Sequence, residues 1–167
     1  MLRQPVGEGV RPTSSRVREA LFSMVGQDLD GLRVLDAFGG AGLLGLEAWS
    51  RGAEVVVTEL RPATARDLRR RGEEIGADWT VHTGDCLALA PQHGPFDGVL
   101  ADPPYAASPG PILEVLGPLA RAWLVYEADS SATPPPTAGP LALDRVRSFG
   151  GTALWVYRRG DEDAEPA

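Results

Sequence analysis

Four times in this chain a short apolar run ends at or beside a carboxylate. Leu32 to Ala37 closes on Asp36, Glu54 to Glu59 on Glu59 itself, Trp79 to Thr83 is followed by Gly84-Asp85-Cys86, and Gly98-Val99-Leu100-Ala101 runs into Asp102-Pro103-Pro104-Tyr105. Such runs read as strands of a buried parallel sheet. In an open α/β sheet, ligands bind outside the carboxyl ends of the strands. One acid in such a place is more often a turn or cap residue, but four in succession set a row of carboxylates along a ligand-binding edge.

The first run leads into Asp36-Ala37-Phe38-Gly39-Gly40-Ala41-Gly42-Leu43-Leu44-Gly45 and then the helical Leu46 to Arg51. Gly40, Gly42 and Gly45 fit the glycine spacing of a strand-to-helix turn that brings backbone close to a nucleotide-like ligand. Glu59 follows at about the distance of a ribose-hydroxyl acceptor, so a nicotinamide oxidoreductase stays open on these residues alone. Asp36 shifts the balance, because a carboxylate there attracts a cationic amine and repels a pyrophosphate. Asp85 adds an acceptor suited to an adenine amino group. Together they favour S-adenosylmethionine.

Asp102-Pro103-Pro104-Tyr105 forms a small rigid platform. The prolines fix φ and carry no N–H, leaving carbonyl acceptors beside the Asp102 carboxylate and the flat face of Tyr105. A planar group bearing an NH2 can give both hydrogens to Asp102 and the Pro103 carbonyl and stack on the ring.

Taken with Arg11-Pro12-Thr13-Ser14-Ser15-Arg16-Val17-Arg18-Glu19-Ala20-Leu21-Phe22 and Leu46-Glu47-Ala48-Trp49-Ser50-Arg51-Gly52-Ala53, these segments resemble the RsmD-type 16S ribosomal RNA guanine-N2 methyltransferases, from about Arg11 to Arg158. The Arg-Pro-Thr-Ser segment is the discriminating part. The resemblance implies a Rossmann-like class I methyltransferase fold, S-adenosylmethionine as donor, and transfer to an exocyclic amine of guanine in ribosomal RNA, naked or within a partly assembled small subunit. On this reading Asp36, Phe38, Gly40, Gly42, Glu59, Asp85 and Cys86 face the donor. Asp102, Pro103, Pro104 and Tyr105 hold the target amine, and Arg11, Arg16 and Arg18 face RNA. Other exocyclic-amine methyltransferases, acting on DNA adenine or protein glutamine, stay open, as does a non-catalytic RNA-binding module.

The expected architecture is a mostly parallel seven-stranded sheet with helices on both faces and an antiparallel C-terminal hairpin. Thr13 is a candidate cap for a helix burying Val17, Ala20, Leu21, Met24 and Val25. Further helices are expected over Arg61 to Gly76 and Pro111 to Leu119, and a strand over Arg121 to Glu127. Ser130 to Pro140, with three consecutive prolines, reads as a loop that leaves one face thinly covered. Leu141 to Phe149 and Thr152 to Arg158 form the hairpin about Gly150-Gly151.

With 167 residues, one domain over 1–160 is expected, followed by an acidic, solvated tail at 161–167. The formal charge of −7 argues against a large RNA footprint. It is uneven: residues 1–71 hold 11 Arg against 9 acids, and residues 72–167 hold 5 Arg against 14 acids. Any RNA surface is therefore expected in the first half. Arg66, Arg69, Arg70 and Arg71 read as a solvated face rather than an RNA patch. A single cysteine excludes an internal disulfide, and His82 and His93 with Cys86 are too few for a metal site. No signal-peptide core or long apolar run is present. A cytoplasmic monomer is expected.

Overall fold

The computed structural model describes residues 14–104 and 106–160. The Thr13 cap, Arg11, Tyr105 and the 161–167 tail lie outside the described residues. Helix α1, Ser15–Val25, comes first, followed by β1 (Arg33–Asp36), α2 (Leu43–Ser50), β2 (Glu54–Glu59), α3 (Pro62–Ile75), β3 (Thr80–Thr83), α4 (Cys86–His93) and β4 (Phe96–Ala101). Helix α5 (Pro109–Leu116) continues into a 3-10 turn at Gly117–Leu119. After it come β5 (Ala120–Asp129), β6 (Thr137–Ala138), β7 (Leu141–Phe149) and β8 (Thr152–Arg158).

The strands form one sheet in the order β3-β2-β1-β4-β5-β8-β7-β6. The first five are parallel and the last three run antiparallel to their neighbours. The sheet thus has eight strands rather than seven. The additional one, β6, pairs only Thr137 with Ala142 and Ala138 with Leu141, too short a pairing to announce itself in a proline-rich segment.

Alternation along each strand sends neighbouring side chains to opposite faces. Val34, Val55, Val57, Leu100, Val125 and Leu154 pack under α1, α2 and α3. Leu35, Val56, Val99, Leu124 and Trp155 pack under α4 and α5. Burying a side chain of the size of Leu35 or Val56 stabilises the fold by roughly 1.5–3 kcal/mol.

Helix α1 has its cap one residue after the expected one: Ser14 Oγ accepts from the Val17 amide at 3.3 Å. Its buried stripe is Val17, Leu21, Phe22 and Met24, with Ala20 and Val25 partly covered. Helix α4 has no counterpart among the sequence expectations, because Pro91 interrupts its only apolar stretch. Asp85 caps it, accepting from Leu87 N–H at 3.0 Å. The segment between β5 and β7 covers its face more closely than its composition suggests. Ala138 is buried, Tyr157 Oη donates to the Pro135 carbonyl at 2.9 Å, and a Cβ on Gly117 would meet the Ala138 carbonyl oxygen at 2.3 Å. Among the described residues, no helix is long and apolar enough to cross a membrane.

Candidate active site

Chain connections leave β1 toward β2 on one side, while β4 returns on the other, so the sheet has its switch point between β1 and β4. Ligands bind at such a point in open α/β sheets. The spatial order of the strands turns four acids scattered in sequence into one row: Asp85 after β3, Glu59 ending β2, Asp36 ending β1 and Asp102 after β4. At an interstrand spacing of about 4.8 Å the row spans roughly 14 Å, room for an extended nucleoside joined to an amino acid.

Asp36 is the most constrained member. It is buried, its Oδ2 accepts from the Gly45 amide at 3.1 Å, and its Oδ1 is buried with no hydrogen-bond partner. Burial pushes its carboxyl up to about 7, with further upward pressure from the Asp102 and Glu59 carboxylates; the Gly45 and Phe38 amides pull the other way. An unsatisfied acceptor among three negative groups is a site for a cationic donor, and it disfavours a pyrophosphate.

The glycine loop packs its bare backbone directly onto the core side chains of β2, α3 and the segment before β3. Gly42 has φ +77°, a left-handed conformation, and a Cβ there would come within 2.6 Å of Leu68 and 3.2 Å of Trp79. Gly39, which its spacing does not single out, leaves no room either: a Cβ would fall 2.7 Å from Val57 and 2.8 Å from Leu68. The loop is tied down from three sides. Gly39 N–H donates to the Thr58 carbonyl at 3.0 Å, Gly40 N–H to Glu59 Oε2 at 3.0 Å, and Arg71 to the Ala41 carbonyl at 2.9 Å. Thr58, buried, donates its hydroxyl to the Ala37 carbonyl at 2.7 Å and locks the strand end beneath the loop.

These features are compatible with S-adenosylmethionine: an orphaned buried carboxylate oxygen suits an ammonium, and the Glu59 and Asp85 carboxylates stand along the same edge. Glu59 Oε1 accepts from the Arg61 amide at 3.3 Å, so both oxygens are already oriented. Leu60, 69 % exposed, is an unforeseen addition. It follows Glu59 directly and leaves an exposed apolar side chain beside that acid, a signal readable only once the edge is known. Phe38 is half-buried against the core on the α4 side. Cys86 is buried in that core and its thiol is pushed up to about 12 by burial and by Asp85, so its side chain packs and the Asp85 carboxylate is the exposed group.

On the β4 side, Asp102 is half-buried, Pro103 buried and Pro104 exposed. Tyr105 falls outside the described residues. Beneath them, Ala101 pairs in register with Tyr126, whose hydroxyl is pushed up to about 12 by burial and by the Asp102 carboxylate. Tyr126 stacks on Trp155, with centroids 5.2 Å apart. The platform therefore stands on a stiff aromatic base that sequence spacing does not reveal.

Among the arginines, Arg16 is exposed and Arg18 half-buried and partnered. Arg69 donates to the Val81 carbonyl and Thr83 Oγ1, Arg70 pairs with Asp67, and Arg71 pairs with Asp67 at 2.9 Å. Arg69, Arg70 and Arg71 thus have intramolecular partners, while Arg66, Arg69 and Arg70 stay exposed at the surface.

A model of the family described as conserved hypothetical protein 95 matches residues 1–158. The chain is 31% identical to ribosomal RNA small subunit methyltransferase D of Escherichia coli K12, covering 96% of this chain and 87% of the relative. It is 30% identical to the Bacillus subtilis protein named "Putative rRNA methyltransferase YlbH", covering 95% and 92%. Among solved structures, a hypothetical protein of Thermus thermophilus superposes with a TM-score of 0.78 at 27% identity, covering 94% of this chain and 93% of that one.

Proposed function

The chain belongs to the conserved hypothetical protein 95 family, and from that premise we propose that it methylates the exocyclic N2 amine of a guanine in small-subunit ribosomal RNA. Its donor is S-adenosylmethionine and its activity is methyl transfer to ribosomal RNA. The observation that carries the reading is the carboxylate row itself, with an orphaned buried Asp36 oxygen at its centre and the Asp102 to Pro104 platform at its end.

When bound, S-adenosylmethionine supplies a methyl carbon that leaves sulfur as the amine nitrogen bonds to it. The chain's part is placement. Asp36 holds the donor's ammonium, Glu59 its ribose, and the Gly39 to Gly42 backbone lets it lie close. A guanine amine is a weak nucleophile because its lone pair is delocalised into the ring. Asp102 and the Pro103 carbonyl accept its two hydrogens and turn that lone pair toward the methyl group. Alignment of this kind contributes several kcal/mol, up to about 7–11 in model systems. Asp102 need not be a strong base, since the nitrogen becomes acidic only as the new bond forms. The target base must leave its stack to reach the platform, which favours loops and bulges.

The large apolar side chains that stay exposed among the described residues, Leu60 in the β2–α3 connection, Ile75 at the end of α3 and Val146 on β7, are scattered along the chain, which supports a monomer. A ribosomal RNA substrate supports its acting in the cytoplasm. Incubation of the protein with labelled donor and unmodified small-subunit RNA, followed by nucleoside mapping, should yield N2-methylguanosine. Methyl on adenine, or on protein alone, overturns the reading. Calorimetric titration that detects NADH binding and no S-adenosylhomocysteine binding overturns the donor assignment with it.

Replacing Glu59 by alanine should weaken S-adenosylhomocysteine binding by about 1.5–3 kcal/mol, the worth of hydrogen bonds to a charged group. Glu59→Gln keeps an acceptor for the Gly40 amide, so it separates loop support from ribose binding. An unchanged dissociation constant in a folded Glu59→Ala protein would reduce Glu59 to a loop brace.

A further inference from the structure

We propose that the outer strand of the terminal hairpin and the first turn of α1 form a track for the RNA backbone, made by Arg16, Arg145 and Arg147 and organised by Phe149. This rests on the RNA-methyltransferase reading above and adds where the nucleic acid runs.

Strand pairing sets three of these residues on one face. Arg145 pairs with Val156, Arg147 with Leu154 and Phe149 with Thr152, and Val156 and Leu154 belong to the core beneath α1. A register shift between Leu143 and Arg145 brings Arg145 into line. The displaced Asp144 turns to Arg158, at 3.3 Å, so the one acid of the strand is occupied. Helix α1 lies over the same face. Its first turn meets the hairpin tip, with the Arg16 guanidinium 5.6 Å from the Phe149 ring centroid and that of Arg147 at 5.3 Å. Near its other end, the Met24 carbonyl accepts from Arg158.

The hairpin tip sits on the catalytic edge of the sheet. Asp129, Thr152 and Phe149 form one row, three residues beyond the Ala101–Tyr126 row that precedes Asp102. Across the sheet, β7 is three strand spacings from β4, roughly 14 Å. An RNA strand that delivers a base to the platform has its flanking phosphates within reach of this surface.

Chemistry favours phosphate. Arg16, Arg145 and Arg147 are exposed, and among the described residues none has a carboxylate within ion-pair distance. Guanidinium forks match phosphate oxygens bidentately, and stacking on Phe149 holds two of them in place before any ligand arrives. On a chain of net charge −7, three uncompensated arginines beside the active edge are where a polyanion is best tolerated. Charge counted along the sequence places the RNA surface in the first half. Two of the three track arginines come from the second half and are brought to Arg16 only by hairpin pairing.

The test is a salt series of equilibrium binding to an unmodified small-subunit RNA transcript, with the unchanged protein, Arg145→Gln/Arg147→Gln and Arg145→Lys/Arg147→Lys. The Gln pair should bind on the order of tenfold more weakly at low salt, and its log–log salt slope should flatten by about 1.4–1.8, or 0.7–0.9 for each phosphate no longer neutralised. The Lys pair should keep its slope, since each ammonium still neutralises a phosphate. S-adenosylhomocysteine affinity and the transfer rate at saturating RNA should hold in both. A Gln pair with unchanged slope and affinity overturns the track. So does a pair that binds naked RNA normally but is weakened only toward the assembled subunit, which would make this face a docking surface for ribosomal protein. If the unchanged chain binds RNA yet transfers no methyl to it, the proposed reaction fails while the slopes still judge the track; if it binds no RNA, both fall.

Discussion

Replacing Asp102 by alanine is expected to lower single-turnover methyl transfer by roughly 10²–10³-fold while S-adenosylhomocysteine affinity stays within a few-fold. The side chain stands directly after β4, where Pro103 fixes the following φ and Tyr126 supports the strand end. On the proposed reading it is an orienting acceptor for the amine. Without it the Pro103 carbonyl holds one hydrogen, and the amine can rotate its lone pair back into conjugation with the ring. Asp102→Asn keeps one acceptor oxygen and should fall between the two. Removing this charge also relieves pressure on its neighbours: the Asp36 carboxyl and the Tyr126 hydroxyl, both raised in part by Asp102, should each move down. Near-normal transfer by a folded Asp102→Ala protein would mean the amine is oriented elsewhere, and the platform would lose its role.

How much of the fold is legible along the chain follows how local each signal is. Strands β2, β7 and β8 begin and end where their apolar runs and flanking glycines place them, because strand patterning and turn residues act over a few neighbours. The row of acids is legible for the same reason: each acid marks the end of its own strand, and the fold family supplies the order. Helix α4 stays hidden because Pro91 breaks its apolar periodicity, although Asp85 gives the cap. Asp85 therefore has a structural duty beyond facing the edge. The stacked Tyr126 and Trp155, the Trp79 ring beneath Gly42, and the meeting of Arg16 with Phe149 depend on cross-strand register or helix docking. Nothing nearby in the chain announces any of them. The same limit applies to a count of charge by chain halves, which treats sequence neighbours as surface neighbours and so leaves Arg145 and Arg147 out of the first-half surface that the proposed track joins them to.

Between about pH 4 and pH 8 the ligand-free protein is expected to lose roughly 4 kcal/mol of stability through Asp36 alone, and Asp36→Asn to be spared that loss. The folded carboxyl sits at about 7 against 3.8 for the ordinary group, chiefly from burial and then from Asp102 and Glu59. In that window the folded chain holds a proton on Asp36 that the unfolded chain has released. Stability must then fall as pH rises from about 4 to about 7 and level off above, the reverse of a salt-bridged carboxylate. Donor binding turns the sign around. An ammonium beside the orphaned Oδ1 favours the charged carboxylate, so S-adenosylhomocysteine should bind more tightly as pH rises toward 7. Binding at pH 6 should also release close to one proton, seen as a buffer-dependent calorimetric heat. In Asp36→Asn the affinity should be lower and nearly flat with pH, and the proton release absent. Urea unfolding of both proteins at pH 5, 6, 7 and 8 reads the stability half of this linkage. Parallel profiles would show that Asp36 ionises in the fold as freely as in the open chain, and the buried carboxylate could not then be the reserve of negative charge that the donor's ammonium is drawn to.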